Sequence, residues 1–317
     1  MSRFVAMRLL QVAAVLAIMS FVIYALIGLM PGDPIDLMIS SNPHLTPADA
    51  VRLKALYGLD RPLIERYFAW AKAALTGDFG YSRLYVKPAF EVLLPRLGNT
   101  ALLMGASIIC AYALALPLGI LAARKPGSAI DSAVNMLCFA GISVPPFWLA
   151  LMLILIFAAG LGVLPAGGIA TIGDGSIPDR LQHLVLPVAT LTLASMGGHL
   201  RYIRASMIET LRQDFIRTAR AKGAGETRVL TRHALRNALI PVVTVLALSF
   251  GSLFSGALIT ETMFAYPGMG KLIYDAIQGN DFNLALAGLL LATLTVLLAN
   301  LAADIAYAVI DPRISYR

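Results

Sequence analysis

The residue types that carry acid-base, metal or phosphate chemistry are sparse in this chain, and their spacing excludes more than it supports. His44, His183, His199 and His233 have no ligand-like spacing among themselves or with Cys110 and Cys138, so no metal site is expected. Both cysteines fall inside apolar runs, where they read as small fillers rather than as a disulfide. The stretch "AYPGMGKL" approaches a phosphate-cradling loop, but Ala265 stands where the first Gly is needed and Leu272 where a Ser or Thr would hold magnesium. No nucleophile elbow, zinc-protease motif or pair of embedded carboxylates points to catalysis. Glu261 and Asp131 stand at the edges of long apolar runs, and Asp304 lies toward the end of another. An ion-driven carrier keeps acids at mid-membrane, so the energy for any transport is expected to come from another molecule. Asp304 itself is open to two readings, a structural pair with a nearby Arg or a functional group.

One stretch differs from the rest, "DFIRTARAKGAGETRVLTRHALRNALIP" over 214–241, where charge is densest. Asp214 is placed to cap a short helix on which Phe215, Ala219 and Lys222 share a stripe while Arg217 and Arg220 point elsewhere. Gly223 and Gly225 break that helix, and a second one from Glu226 runs into the next apolar segment at Pro241. A solvated basic loop is one reading; a short helix held crosswise by a turn and joined to two membrane spans, a lever, is the other. Nine basic residues between Arg201 and Arg236 exceed what orientation requires and favour the lever.

The elements that must carry this loop follow from hydropathy. The chain is 58% hydrophobic and 14% charged, against about a quarter charged in an ordinary soluble domain. Runs without Asp, Glu, Lys or Arg lie at 9–32, 97–123, 132–173, 181–200, 237–260 and 282–303. Each holds the roughly 20 apolar residues of a membrane-crossing helix. The expected fold class is an all-α polytopic membrane protein, one transmembrane domain over 1–317, with spans near 9–30, 98–123, 133–160, 182–203, 237–260 and 283–309. The third run ends in "LGVLPAGGIATIG", too rich in Gly and Pro for a second span, and the first run is longer than a signal-peptide core, so it is expected to be retained.

With six spans both termini share a side. Fifteen basic residues then fall on the short segments of that side against Arg180 and Lys271 on the short segments of the other, which places both termini in the cytoplasm. The net charge of +7 is explained by this bias, and no nucleic-acid partner is expected. The external segment 31–97 is too long for a plain connection. It is expected to hold a helix entered through Thr46 and Pro47 and stopped near Gly58 and Pro62, then an amphipathic helix with Leu63, Ile64, Tyr67, Phe68, Ala71 and Leu75 on its apolar side. That second helix would lie against the membrane surface or the first span, as a structural cap or as a docking surface for an external partner. Pro117, Pro145, Pro146, Pro187, Pro241, Gly251 and Gly256 interrupt the spans, and no internal repeat of the kind secondary transporters carry is evident.

The 214–241 stretch closely resembles the cytoplasmic loop of permease subunits of binding-protein-dependent ABC importers, in the branch that carries dipeptides, oligopeptides, nickel complexes and glutathione. "MPGDP", "GDFGYS", "SVPPFWLALML", "ETMFAYPGMGKLIYDAI" and "DPRI" agree with that branch along nearly the whole chain. The general loop pattern of the family is Glu-Ala-Ala, three residues, Gly, nine residues, then Ile-x-Leu-Pro. Anchored on Gly223, only Ala219, Gly223 and Leu235 match it, and Arg217 stands in place of the Glu. The "RTARAKG" form is that of the peptide branch.

The resemblance implies a type I ABC importer permease fold and a bacterial inner-membrane location. It implies a non-catalytic chain that makes half of the path for small peptides by alternating access, with a nickel chelate or glutathione as alternative solutes. Its partners would be a second homologous permease, two ATP-binding subunits that hold the ATP and magnesium, and an external solute-binding protein; no cofactor is expected on this chain. Within the cytoplasmic loop 206–236, the residues carried over as ATPase-coupling are Asp214, Phe215, Arg217, Thr218, Ala219, Arg220, Lys222, Gly223 and Leu235. Glu261, Pro267 and Gly268 are candidates for a gate or a binding-protein contact, no residue can be assigned to the solute, and a re-entrant structural loop is the other reading of 260–283. Two further classes compete with the permease: a self-sufficient secondary transporter or channel, which would take up solute alone, and a scaffold that binds ATPases without solute flux.

Overall fold

A computed structural model of the chain describes residues 2–29, 46, 52 and 61–310. The helix expected over 46–58 and the "MPGDP" and "DPRI" motifs lie outside the described residues. Nearly all of the rest is helix, as a backbone surrounded by lipid requires. In chain order the helices are α1 (Ser2–Gly28), α2 (Leu63–Leu75), α3 (Ala89–Arg124), α4 (Ala129–Ser143) and α5 (Pro146–Leu153), which loosens into a π-helical turn, Ile154–Gly160. They continue as α6 (Ile177–Leu211), α7 (Asp214–Ala221), α8 (Leu235–Met263), α9 (Met269–Gln278) and α10 (Phe282–Ile310). Strands β1 (Tyr81–Ser82) and β2 (Lys87–Pro88) pair as an antiparallel hairpin.

Four described helical segments are long and apolar enough to cross a bilayer, Val5–Gly28, Ala89–Arg124, Ile177–Leu211 and Phe282–Ala302, or five if the bent pair α4–α5 is one span. The 29-residue α8 covers the run expected to be the fifth span. The segment 133–160, expected as one helix, is instead two whose axes turn by 100°. Val144 and Pro145 are both extended, with ψ of 121° and 136°. Pro145 and Pro146 lack N–H donors, and each disfavours the helical region in the residue before it, so the ladder stops and restarts at Pro146.

Helix ends are set by one recurring device. After α2, α7, α8 and α9, the residues in the left-handed region are Gly77, Gly223, Ala265 and Asn280. In each case the next amide reaches back to the carbonyl five residues earlier, for example Ala224 N to Ala219 O at 3.1 Å and Tyr266 N to Glu261 O at 2.8 Å. These are Schellman closures, which satisfy carbonyls that a helix end leaves open.

The chain forms two compact units, residues 1–98 with 271–297, and residues 99–270 with 298–317. In the first, α2 lies against α1: the Tyr67 hydroxyl pairs with Ser20 Oγ at 2.8 Å, and Tyr24 and Trp70 rings stand 5.6 Å apart. The hairpin is fastened to the α9–α10 corner by buried Asp281, whose carboxylate accepts from Ser82 Oγ (2.5 Å), Leu84 N (3.0 Å) and Leu284 N (3.2 Å). That one side chain also caps α10.

The second unit has two apolar cores at opposite ends of its helices. One gathers Ala115, Leu200, Ile203, Met207, Ile216, Val229 and their neighbours; the other gathers Leu103, Leu186, Leu191, Ala257, Phe264 and Tyr266. Between them α4 and α6 touch through backbone. A Cβ on Gly197 would come 2.6 Å from Cys138 O, and one on Gly141 would come 3.0 Å from Leu193 O. Small residues permit this approach.

Candidate functional site

α7 is the charged helix anticipated over 214–223, but its cap differs from the expectation. Gln213 occupies the N-cap and makes no side-chain cap bond; Asp214 is the first helical residue and accepts from Arg217 Nη1 at 3.4 Å. Both members of that pair are almost fully exposed, so its contribution is small. Asp214 still favours the helix by lying at its positive end, and its carbonyl accepts from Thr218 Oγ1 at 3.0 Å. The buried residues are Ile216 and Ala219, so of the stripe Phe215, Ala219 and Lys222 only Ala219 is buried. Ile216 is the aliphatic side chain and enters the core beside Ile203, Met207 and Val229, whereas Phe215 is 42% exposed and Lys222 caps the C-terminus in solvent.

The turn after α7 depends on its glycine. Gly223 has φ +81°, its amide donates to Arg220 O at 2.9 Å, and a Cβ there would meet no atom within 4 Å. Arg220 spans the turn with two bonds to the Glu226 carboxylate, at 2.9 and 3.2 Å. A short helical lead-in, Glu226–Arg228, and a π-helical segment, Val229–Ala234, pass into α8 without a break, and Leu235 packs against the same core. Thus α7 is attached to α6 on one side and to α8 on the other, with Phe215, Arg217, Thr218 and Lys222 on its exposed surface.

A second ionic feature beside this region was not legible in the sequence. Arg204 reaches the buried Asp131 carboxylate with both Nε and Nη2, the latter at 2.7 Å. Gly127 N donates to the same carboxylate at 2.8 Å. The pair flanks the charge-free cores of α4 and α6, and the Arg204 guanidinium holds the Asp131 carboxyl down at about 2. It binds the start of α4 to α6. Of the nine basic residues in the loop region, Arg204, Arg217 and Arg220 are paired with acids in this way.

At the other end of the unit, Glu261 is completely buried at the close of α8. Thr100 Oγ1 donates to Glu261 Oε1 at 2.5 Å and itself accepts from Met269 N at 2.8 Å. Asn99 Nδ2 donates to Pro267 O at 2.8 Å, and the Tyr266 hydroxyl donates to Asn99 O at 3.3 Å. Burial, with the Glu261 charge adding, pushes the Tyr266 hydroxyl up to about 12. Gly268 and Gly270 are packed so closely around the Glu261 carboxylate that a Cβ on Gly268 would overlap it. Glu261 and Gly268 are therefore interior supports of the turn 264–270, and Pro267 is partly exposed. The loop before α6 is tied to this turn by Gly168 N, which donates to Phe264 O at 2.8 Å, and to α6 by Thr171, which donates to Asp179 through N (2.8 Å) and Oγ1 (2.6 Å).

Two family descriptions match the chain: "binding-protein-dependent transport system inner membrane component" over residues 115–316, and the corresponding N-terminal component over residues 1–90. The oligopeptide transport system permease protein AppB of Bacillus subtilis (strain 168) is 39% identical over 318 residues, covering 100% of both chains. A putative peptide permease protein of Brucella suis biovar 1 (strain 1330) is 40% identical over 316 residues, 99% of both. The dipeptide transport system permease protein DppB of Escherichia coli (strain K12) is 34% identical over 339 residues, again 100% of both. Among solved structures, a chain of the methionine ABC transporter MetNI in an inward-facing conformation superposes with a TM-score of 0.57 at 19% identity, over 70% of this chain and 97% of that one. This likeness supports the type I importer permease fold. With both ends of the chain matched and peptide permeases aligned along its full length, the protein belongs to the family of binding-protein-dependent transport-system inner membrane components, as a permease subunit of the dipeptide and oligopeptide branch.

Proposed function

We propose that this chain forms half of an ATP-driven import path for small peptides, with six spans, both termini in the cytoplasm, a second permease beside it, two ATPase subunits docked on α7 and an external binding protein delivering solute. The observation that carries the reading is the seating of α7: Ile216 and Ala219 are buried in a core shared with α6 and the lead-in to α8, while Phe215, Arg217, Thr218 and Lys222 face outward. A helix packed in this way transmits force, because a displacement of its outer face carries both attached helices with it. ATP-driven closure of the ATPases would move α7 and shift the equilibrium between outward-open and inward-open states, and hydrolysis would reset it. The chain contributes no catalytic group; ATP and magnesium belong to the partner subunits. The peptide solute rests on the printed functions of the full-length relatives.

The test is reconstitution of the complete complex with Phe215→Asp and Lys222→Glu variants. Both side chains are exposed, so the permease folds as before while ATPase retention on purification and dipeptide uptake fall together. Retention and uptake at the parent level in both variants would overturn the coupling role. Solute uptake by the permease pair without ATPases would instead favour a self-sufficient carrier.

A further inference from the structure

The short helix α2 exposes an apolar face that nothing in its own unit covers. Ile64, Phe68 and Leu75 are 59%, 65% and 89% exposed, and their spacing of four and seven residues puts them on one side of the helix. The adjacent side is occupied, since Leu63 lies over Gly28 and Tyr67 and Trp70 pack on Phe21 and Tyr24 of α1. Glu65 and Lys72 take the flank away from α1 and are exposed.

We infer that α2 is an interfacial helix whose Ile64–Phe68–Leu75 face lies in the acyl region of the bilayer beside α1. The depth of its attachment supports lipid over water. Ser20, the partner of the Tyr67 hydroxyl, precedes the end of α1 at Gly28 by eight residues. At a rise of about 1.5 Å per residue this is about 12 Å inside the helix end. Here the tyrosine hydroxyl is satisfied by a membrane helix, as a polar group needs where water is absent. Over the same stretch α1 leaves its own apolar stripe, Ile18, Val22 and Leu26, uncovered. The exposed face of α2 is thus continuous in depth with the lipid-facing length of α1. The aromatic group Tyr24, Tyr67 and Trp70 has the composition of a membrane-interface belt, and helices of this pattern sink roughly 5–10 Å into the headgroup and acyl boundary.

Spin labels at Phe68→Cys, Leu75→Cys and Lys72→Cys, each in a Cys110→Ala/Cys138→Ala background and in the assembled complex in phosphatidylethanolamine/phosphatidylglycerol nanodiscs, test this directly. Labels at 68 and 75 are expected to collide with oxygen several-fold more than with a water-soluble nickel chelate, and the label at 72 to show the reverse. Equal nickel access at all three positions would mean a water-facing surface for a soluble partner. Exclusion of both reagents at 68 and 75 would mean a protein cover such as the second permease. Either result overturns the lipid assignment. Quenching of Trp70 by brominated lipid in a Trp148→Phe chain, whose other tryptophan is removed, provides a reading without cysteine substitution.

Discussion

Gly223 offers a quantitative test of the lever. Its φ of +81° lies in the left-handed region, and a Cβ there is clear of every atom within 4 Å, so substitution costs only backbone strain. That strain is about 1 kcal/mol for Ala and about 2 kcal/mol for β-branched Val. The turn is held by two hydrogen bonds, Gly223 N to Arg220 O and Ala224 N to Ala219 O, together worth about 2 kcal/mol. Val therefore cancels about the whole of that margin and leaves the native turn populated about half the time. Ala leaves about 1 kcal/mol, or roughly five native turns in six, since about 1.4 kcal/mol corresponds to tenfold. Asn, which enters the left-handed region readily, should remain near the parent. The assay is ATPase stimulation by loaded binding protein in the reconstituted complex, normalised to retained ATPase, with peptide uptake in parallel. The expected order is Asn equal to Gly, Ala slightly lower, and Val at about half. Removing the bridge across the turn with Glu226→Gln should lower the Val variant further. Full stimulation with Val, or Asn as impaired as Val, would refute the conclusion that this backbone shape transmits the stroke.

Other expectations follow from the packing. Ile216→Ala should cost about 2–4 kcal/mol of stability, because it empties a fully buried site in the core, and should lower the thermal midpoint in detergent. Asp131→Asn should also lower that midpoint, by leaving Arg204 without its carboxylate. Because the folded Asp131 carboxyl titrates at about 2, below its ordinary 3.8, the pair's contribution is complete above about pH 4 and is lost as pH falls toward 2. The gap in midpoint between parent and variant should therefore be flat from pH 7 to 5 and close in acid. Ala265→Gly should raise stability by about 1 kcal/mol, since Ala265 holds φ +46° at a helix closure where glycine is unstrained. Gly268→Val should abolish uptake while ATPases still co-purify, because the new side chain must displace the Glu261 carboxylate.

Much of this molecule was legible because lipid restricts what a chain can do. A run free of charge and about 20 residues long has to become a helix, and helices do lie over all six such runs. The Gly223 closure was legible for a related reason, as glycine signals the left-handed region. The equivalent closure at Ala265 was not, since alanine carries no such signal and the strain there is supported by neighbours remote in sequence. The bend at Pro145 and Pro146 lay in plain view, yet prolines inside membrane helices are often accommodated, so their presence alone does not decide between a kink and a break. Pairing across distance was invisible: Asp131 and Arg204 stand 73 residues apart, and Thr100 and Glu261 stand 161 apart. On α7 the helix was legible but the side that the core would take was not: the core took Ile216 and left Phe215 42% exposed.

The π-helical segment Val229–Ala234 gives the direction of that side a mechanical meaning. A π turn accommodates one residue more than the α-helical turn it replaces, so the segment takes in a spare residue while leaving the stretches before and after it in the angular register of an unbroken α-helix. Deleting a single residue within it would let the helix relax to regular α geometry with the stretches on either side still in phase, whereas deleting one residue from the regular part of α8 would swing everything before it by about 100° around that axis. In the second case the surface offered by Phe215 and Lys222 would point away from whatever it now meets, although every side chain on α7 would be unchanged; in the first it would keep its direction. The clocking of the loop is thus held by the residue count of the regular turns, and the π turn marks a place in the connection where a residue can be lost without turning it.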